Sequence, residues 1–131
     1  MKVAYLDSSV IIALLLEEGP SKQIRKTLTS FKKLYSASLL EAEVLATAKR
    51  ENIDLSFAYS FISPLGLLFP EQSLQKEYEE IFSLGYCRGA DAYHLASALF
   101  LDPEKSNLFF FTLDEKQKLI AKKMGFKIVE T

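Results

Sequence analysis

At 131 residues with 49% hydrophobic side chains, the chain is long enough to fill one core and too apolar to stay disordered. Its 16 Lys and Arg nearly cancel its 17 Asp and Glu, so no chain-wide basic field marks a nucleic-acid partner; any such binding needs a local patch or metal ions. One cysteine, Cys87, excludes an internal disulfide and a zinc cluster of several thiolates, and it fits a reducing compartment.

Val3 to Leu6 reads as a buried strand feeding a helix from Ser9 to Glu18 that is apolar nearly all round, and therefore covered on most sides. The apolar run Val10 to Leu16 is too short for a secretory signal. Asp7-Ser8-Ser9 interrupts the approach to it, and Glu17-Glu18 stands where a small-residue cleavage site belongs. No stretch approaches the roughly 18 apolar residues of a membrane span, so a soluble cytoplasmic protein with no membrane partner is expected. After Gly19-Pro20, a helix is predicted from Ser21 to Phe31 and a short strand from Leu34 to Ala37. The next helix, Leu39 to Glu51, is expected to start with Ser38 and Glu41 as an S-x-x-E capping box.

Leu55 to Ile62 is a shorter helical segment ended near Pro64, and Gly66 to Phe69 a further strand before Pro70. An acidic amphipathic helix follows from Gln72 to Leu84 with Gly85 as its C-terminal cap. Then come the turn Tyr86-Cys87-Arg88-Gly89 and a helix from Asp91 to Leu101, stopped by Asp102-Pro103. Leu108 to Phe111 is the strongest strand signal in the chain. A helix from Glu115 to Met124, Gly125, and a last strand from Lys127 to Val129 complete it. Strands separated by helices imply parallel pairing with helices on both faces, a three-layer α/β/α fold. No repeat, low-complexity tract or linker interrupts residues 1–131, which read as one domain.

Four acids, Asp7, Glu43, Asp91 and Asp114, fall where such a chain brings them to one end of the sheet, the end at which open α/β sheets bind ligands. Each of the aspartates also has an ordinary explanation as a helix N-cap, Asp114 most clearly, with Gln117 three residues on. Glu43 resists that account because it lies inside its helix. Glu41 is about 200° away on the same helix and already has a capping role, so Glu43 is the one to choose. Two carboxylates about 4 Å apart repel by roughly 4 kcal/mol at an effective dielectric of 20. No surplus of lysine or arginine is evident near these positions, which leaves a divalent cation, Mg2+ or Mn2+, as the simplest compensation.

Taken in order, Tyr5-Leu6-Asp7-Ser8-Ser9-Val10-Ile11, Ser36-Ala37-Ser38 with Glu43-Val44-Leu45, Asp91-Ala92-Tyr93-His94-Leu95-Ala96-Ser97-Ala98, Thr112-Leu113-Asp114 and Ala121-Lys122-Lys123-Met124-Gly125-Phe126 make the chain resemble a PIN domain over nearly its whole length. The compact size is similar to that of VapC-type toxins of toxin-antitoxin pairs. The resemblance implies a sheet of about five parallel strands and a ribonuclease site with one or two Mg2+ or Mn2+ ions. Asp7, Glu43, Asp91 and Asp114 match its acidic positions, Asp114 standing at the most variable of them, and Ser8 and Thr112 match hydroxyl positions beside the site. It also implies hydrolysis of RNA to a 5′-phosphate and a 3′-hydroxyl, an antitoxin protein laid over the first helices, and a homodimer.

Arg88, just before Asp91, is a candidate phosphate contact, whereas Lys116 and Lys118 read as solvated surface charge. His94, the only histidine, lies one helical turn after Asp91 and reads first as a packing or surface residue. Phe57, Tyr59 and Phe61 are expected chiefly in the core. Two other classes compete with the nuclease. One is phosphoryl chemistry on Asp7, disfavoured because Asp7-Ser8-Ser9 lacks the D-x-D word; the other is an RNA- or protein-binding module of the same fold without turnover.

Overall fold

The alternation of short apolar runs with helical ones holds along residues 2–130, which the computed structural model describes. In chain order the elements are β1 (Val3–Leu6), α1 (Ser8–Leu16), α2 (Ser21–Leu28), β2 (Lys33–Ala37), α3 (Ser38–Arg50) and α4 (Leu55–Ile62). There follow β3 (Gly66–Leu68), α5 (Gln75–Leu84), α6 (Gly89–Leu101), β4 (Leu108–Phe111), α7 (Glu115–Met124) and β5 (Lys127–Ile128). All the strands pair in parallel, in the order β3-β2-β1-β4-β5, giving the five-stranded α/β sheet expected from the sequence.

Strand alternation sorts the side chains onto two cores. Ala4 and Leu6 of β1 and Phe111 of β4 face α1 to α4, which contribute Val10, Ile11, Leu14, Ile24, Leu40, Val44 and Ile62. Tyr5, Leu108 and Phe110 face the other way, onto Ile81, Leu95, Leu99 and Ile120 of α5, α6 and α7. Helix α1 lies within the first layer with Val10, Ile11, Ala13, Leu14 and Leu15 all buried, which is why its sequence has no polar face.

The chain leaves β1 outward through β2 and β3, then returns to the opposite side of β1 for β4 and β5. The carboxyl ends of β1 and β4 therefore flank a topological switch point, where the connections diverge and leave a crevice.

Several boundaries differ from expectation for local reasons. Helix α2 stops at Leu28, where the hydroxyls of Thr29 and Ser30 donate back to the carbonyls of Lys26 and Thr27. The capping box on α3 does not form: Ala37 is the N-cap, Ser38 is already helical, and no side chain caps that end. Gly85 does end α5, in an extended rather than left-handed conformation, whereas Gly125 ends α7 at φ 98 and brings its N–H onto the carbonyls of Ala121 and Lys122. On α4 only Ala58 and Ile62 are buried; Phe61 packs partly buried against the core as expected, whereas Phe57 is 52% exposed and Tyr59 also points outward, against the expectation for those two. Among the described residues no helix is long and apolar enough to cross a membrane.

Candidate active site

Asp7 follows β1 directly and takes extended backbone angles that end the strand and open α1, whose N-cap it is. Its carboxylate is 4% exposed and held at both oxygens. The Ser9 amide (3.1 Å) and hydroxyl (2.5 Å) donate to Oδ1, and the Thr112 hydroxyl donates to Oδ2 at 2.6 Å. Ser9 Oγ in turn accepts the Leu113 amide at 3.0 Å, and Thr112 Oγ1 accepts the Asp114 amide at 3.0 Å. Since Thr112 and Leu113 follow β4, these bonds stitch the two strand ends at the switch point into one unit. Burial pushes the Asp7 carboxyl up from its ordinary range. The hydroxyls of Ser9 and Thr112 and the charge of His94 oppose the shift, and Asp91 adds to it.

Asp114 is the N-cap of α7. Its Oδ1 accepts from the amides of Lys116 (2.9 Å) and Gln117 (3.3 Å), so the capping explanation holds for this residue, as it does for Asp7. Asp91 differs. Helix α6 starts two residues earlier than the sequence suggests, with Arg88 as N-cap, so Asp91 sits in the first turn and caps nothing. Its carboxyl is also raised, first by burial and then by the charge of Asp114, with Arg88 and His94 drawing it back and Glu43 contributing to the rise.

Glu43, half-buried on α3, is reached by His94 from α6: Nε2 lies 2.8 Å from Glu43 Oε1, and Nδ1 lies 2.8 Å from the Tyr5 hydroxyl. Burial holds the Tyr5 phenol well above its usual range, so it keeps its proton, and the Nε2–H of His94 donates to the Glu43 carboxylate while the direction of the Tyr5–Nδ1 bond follows the charge on the ring. His94 is 1% exposed. It is neither a surface residue nor an apolar filler but a buried link between β1 and the glutamate.

Gln117, fully buried on α7, joins the same network by donating to the Asp91 carbonyl at 3.1 Å, with its Oε1 3.1 Å from the Thr112 hydroxyl. The sequence marked Gln117 only as a capping partner of Asp114 and gave no sign of its bond to the Asp91 carbonyl or of the part Ser9 plays at Asp7. Thr112, a hydroxyl position beside the site by the resemblance, is 1% exposed and donates its hydroxyl to Asp7. Ser8, in the first turn of α1, is half-exposed.

A cleft of about 340 Å³ opens beside these acids, lined by Tyr86, Arg88, Asp91, Asp114 and Lys116. Basic charge reaches the cleft: Arg88, the candidate phosphate contact, lines it together with Lys116, which the sequence suggested as solvated surface charge, while Lys118 pairs with Glu115 at 3.1 Å. Among the described residues no three His, Cys, Asp or Glu side chains come close enough to ligate one ion together. The donor chemistry fits a hard divalent cation all the same. The acids are oxygen donors that sense one another's charge, and a small hard cation keeps several waters and needs only one or two carboxylates directly.

No curated protein matches the chain at a significant level. Among solved structures, that of VapBC-1 from nontypeable Haemophilus influenzae superposes with a TM-score of 0.68, covering 98% of this chain and 97% of that one at 14% identity, a likeness of fold. The PIN domain family matches residues 4–123, a span that takes in all four acids, the strand-end hydroxyls and His94. By that match, and by the sheet whose switch point carries the acids, the chain belongs to the PIN domain family.

Proposed function

We propose that the chain is a divalent-cation-dependent endoribonuclease, using one or two Mg2+ or Mn2+ ions to hydrolyse RNA phosphodiester bonds. What supports this reading most is that Asp91 and Asp114 line one cleft beside the switch point, while Asp91 adds to the rise of the Asp7 carboxyl, Asp114 and Glu43 add to that of Asp91, and His94 reaches Glu43. Such crowding calls for a compensating cation, and an all-oxygen donor set selects a hard one. PIN domains as a family are metal-dependent nucleases, which agrees with the donor set.

Asp7, Glu43 and Asp91 would hold the ion directly or through water, with Asp114 completing a second position. When bound, the ion supplies charge stabilisation to the phosphoryl oxygens and makes a water acidic enough for in-line attack. The protein does the rest by positioning. Ser9 and Thr112 fix both Asp7 oxygens, so that carboxylate needs no reordering on loading. His94 aims Glu43. Arg88 at the cleft wall is suited to a substrate phosphate, Ser8 lies next to Asp7 for a further contact, and Thr112 acts through Asp7. No protein nucleophile is required.

We further assign the chain as the toxin of a toxin-antitoxin pair acting in the cytoplasm, bound by an antitoxin protein and self-associating as a homodimer. Supporting this are the end-to-end overlay on VapBC-1 and the outward-facing Leu55, Phe57 and Tyr59 of α4, an apolar surface that a partner would cover. The decisive experiment compares the chain with its Asp7→Asn variant on several RNAs in Mn2+, together with calorimetric Mn2+ titration. Cleavage by the parent alone is expected. Equal cleavage by both would point to a contaminant, and Mn2+ binding or RNA binding without cleavage by either would favour a binding module over an enzyme.

A further inference from the structure

Tyr86 is the most exposed large hydrophobic side chain among the described residues, at 72%, yet it is not an isolated surface ring. It lines the cleft that holds Asp91 and Asp114, and the Lys116 ammonium stands over one face of it, 5.6 Å from the ring centroid. Arg88 lines the same cleft two residues along the chain. Among the described residues neither Arg88 nor Lys116 pairs with a carboxylate within 4.0 Å. That is informative in a cleft with two acids on its wall, because both cations remain available to a group of opposite charge coming from outside.

An exposed ring beside two available cations and an acidic centre matches the requirements of one ligand class. A single-stranded nucleic acid presents an unstacked base with a flat π-face and a phosphate on either side of it. Resting on the nuclease reading above, we propose that Tyr86 is a stacking platform for an unpaired base adjoining the scissile phosphate, with Arg88 and Lys116 holding the flanking phosphates, so that the substrate is an unpaired strand. The geometry disfavours a duplex, whose bases already stack on each other and offer no free face to the ring. An apolar peptide would leave both cations without partners.

A short single-stranded oligoribonucleotide carrying 2-aminopurine tests this in an Asp7→Asn background, where the strand stays intact. Fluorescence quenching on binding is expected. Tyr86→Ala should weaken binding about tenfold and abolish the quenching, while Tyr86→Phe and Tyr86→Trp retain both, as stacking without hydrogen bonding demands. The same sequence as a blunt duplex should bind more weakly. Tyr86→Ala binding as tightly as its parent, or failure to detect any binding of the strand, overturns the proposal. The two readings separate cleanly. If the chain with Asp7 intact cleaves RNA and Tyr86→Ala is indifferent, the nuclease survives and the platform falls; if quenching depends on Tyr86 but nothing is cleaved, the reverse holds.

Discussion

At the scale of single residues, the site depends on side chains that are not themselves acids. His94 is held on both sides by 2.8 Å bonds, so replacing it with Phe removes the donor to Glu43 and leaves the Tyr5 hydroxyl facing an apolar ring. Partners of this kind typically alter metal affinity by 10- to 100-fold. For His94→Phe, Mn2+ affinity measured by calorimetry is expected to fall at least about tenfold, with His94→Gln, which keeps a donor, falling less. A second expectation concerns acidity. Folding raises the Asp7 and Asp91 carboxyls above their ordinary range, chiefly through burial, so between the unfolded and folded values the folded chain binds more protons. Stability of the ion-free protein is therefore greatest below that interval and falls as pH rises through it. Thermal melts should show this decline from mildly acid to neutral pH. It should flatten in Asp7→Asn, and saturating Mn2+ should raise the melting temperature more at neutral than at acid pH.

At the scale of elements, α6 and α7 are tied by one buried amide. Gln117→Leu keeps the volume but removes the side-chain donor to the Asp91 carbonyl, at a cost of about 0.5–1.5 kcal/mol in chemical denaturation, and loosens the spacing of Asp91 and Asp114. Asp114→Ala removes an N-cap as well as an acid, so a loss of about 1 kcal/mol should accompany its loss of activity, whereas Asp114→Asn should keep the cap and isolate the chemical effect. The elements themselves were largely legible. Runs such as Leu108 to Phe111 have few alternatives to a buried parallel strand, and the Gly125 cap announces itself. What pattern could not disclose was where backbone amides would find partners. Ser38 and Glu41 satisfy the capping-box spacing, yet the chain leaves β2 so directly that Ser38 is already helical. Asp91 looked like a cap until α6 gained Gly89 and Ala90 at its start.

At the scale of the whole molecule, the sequence pointed to the acids because Asp7 and Asp114 follow strands, Glu43 lies on the helix after β2 and Asp91 lies in the first turn of α6, positions that chain order makes visible. Among the residues that organise those acids, His94 reaches Glu43 and Gln117 reaches the Asp91 carbonyl from another helix, and Ser9 joins Asp7 to the segment after β4. Separations such as Ser9 to Leu113 are long-range facts that a linear reading does not contain. The same holds for α4: its aromatic residues suggested core, and only the packing of Ala58 and Ile62 shows that the other face is outward. Replacing Phe57 with Lys should therefore leave the melting temperature nearly unchanged, since an exposed position costs within about 0.5 kcal/mol, while weakening self-association or partner capture measured by sedimentation.

The hydrogen bonds that both Asp7 oxygens accept from Ser9 and Thr112 have an implication for when this corner of the fold is complete. A carboxylate held at both oxygens by the finished fold has its orientation set as soon as the polypeptide has collapsed. On the nuclease reading proposed above, restraint would then be imposed from outside, by something that occupies the crevice or withholds the metal.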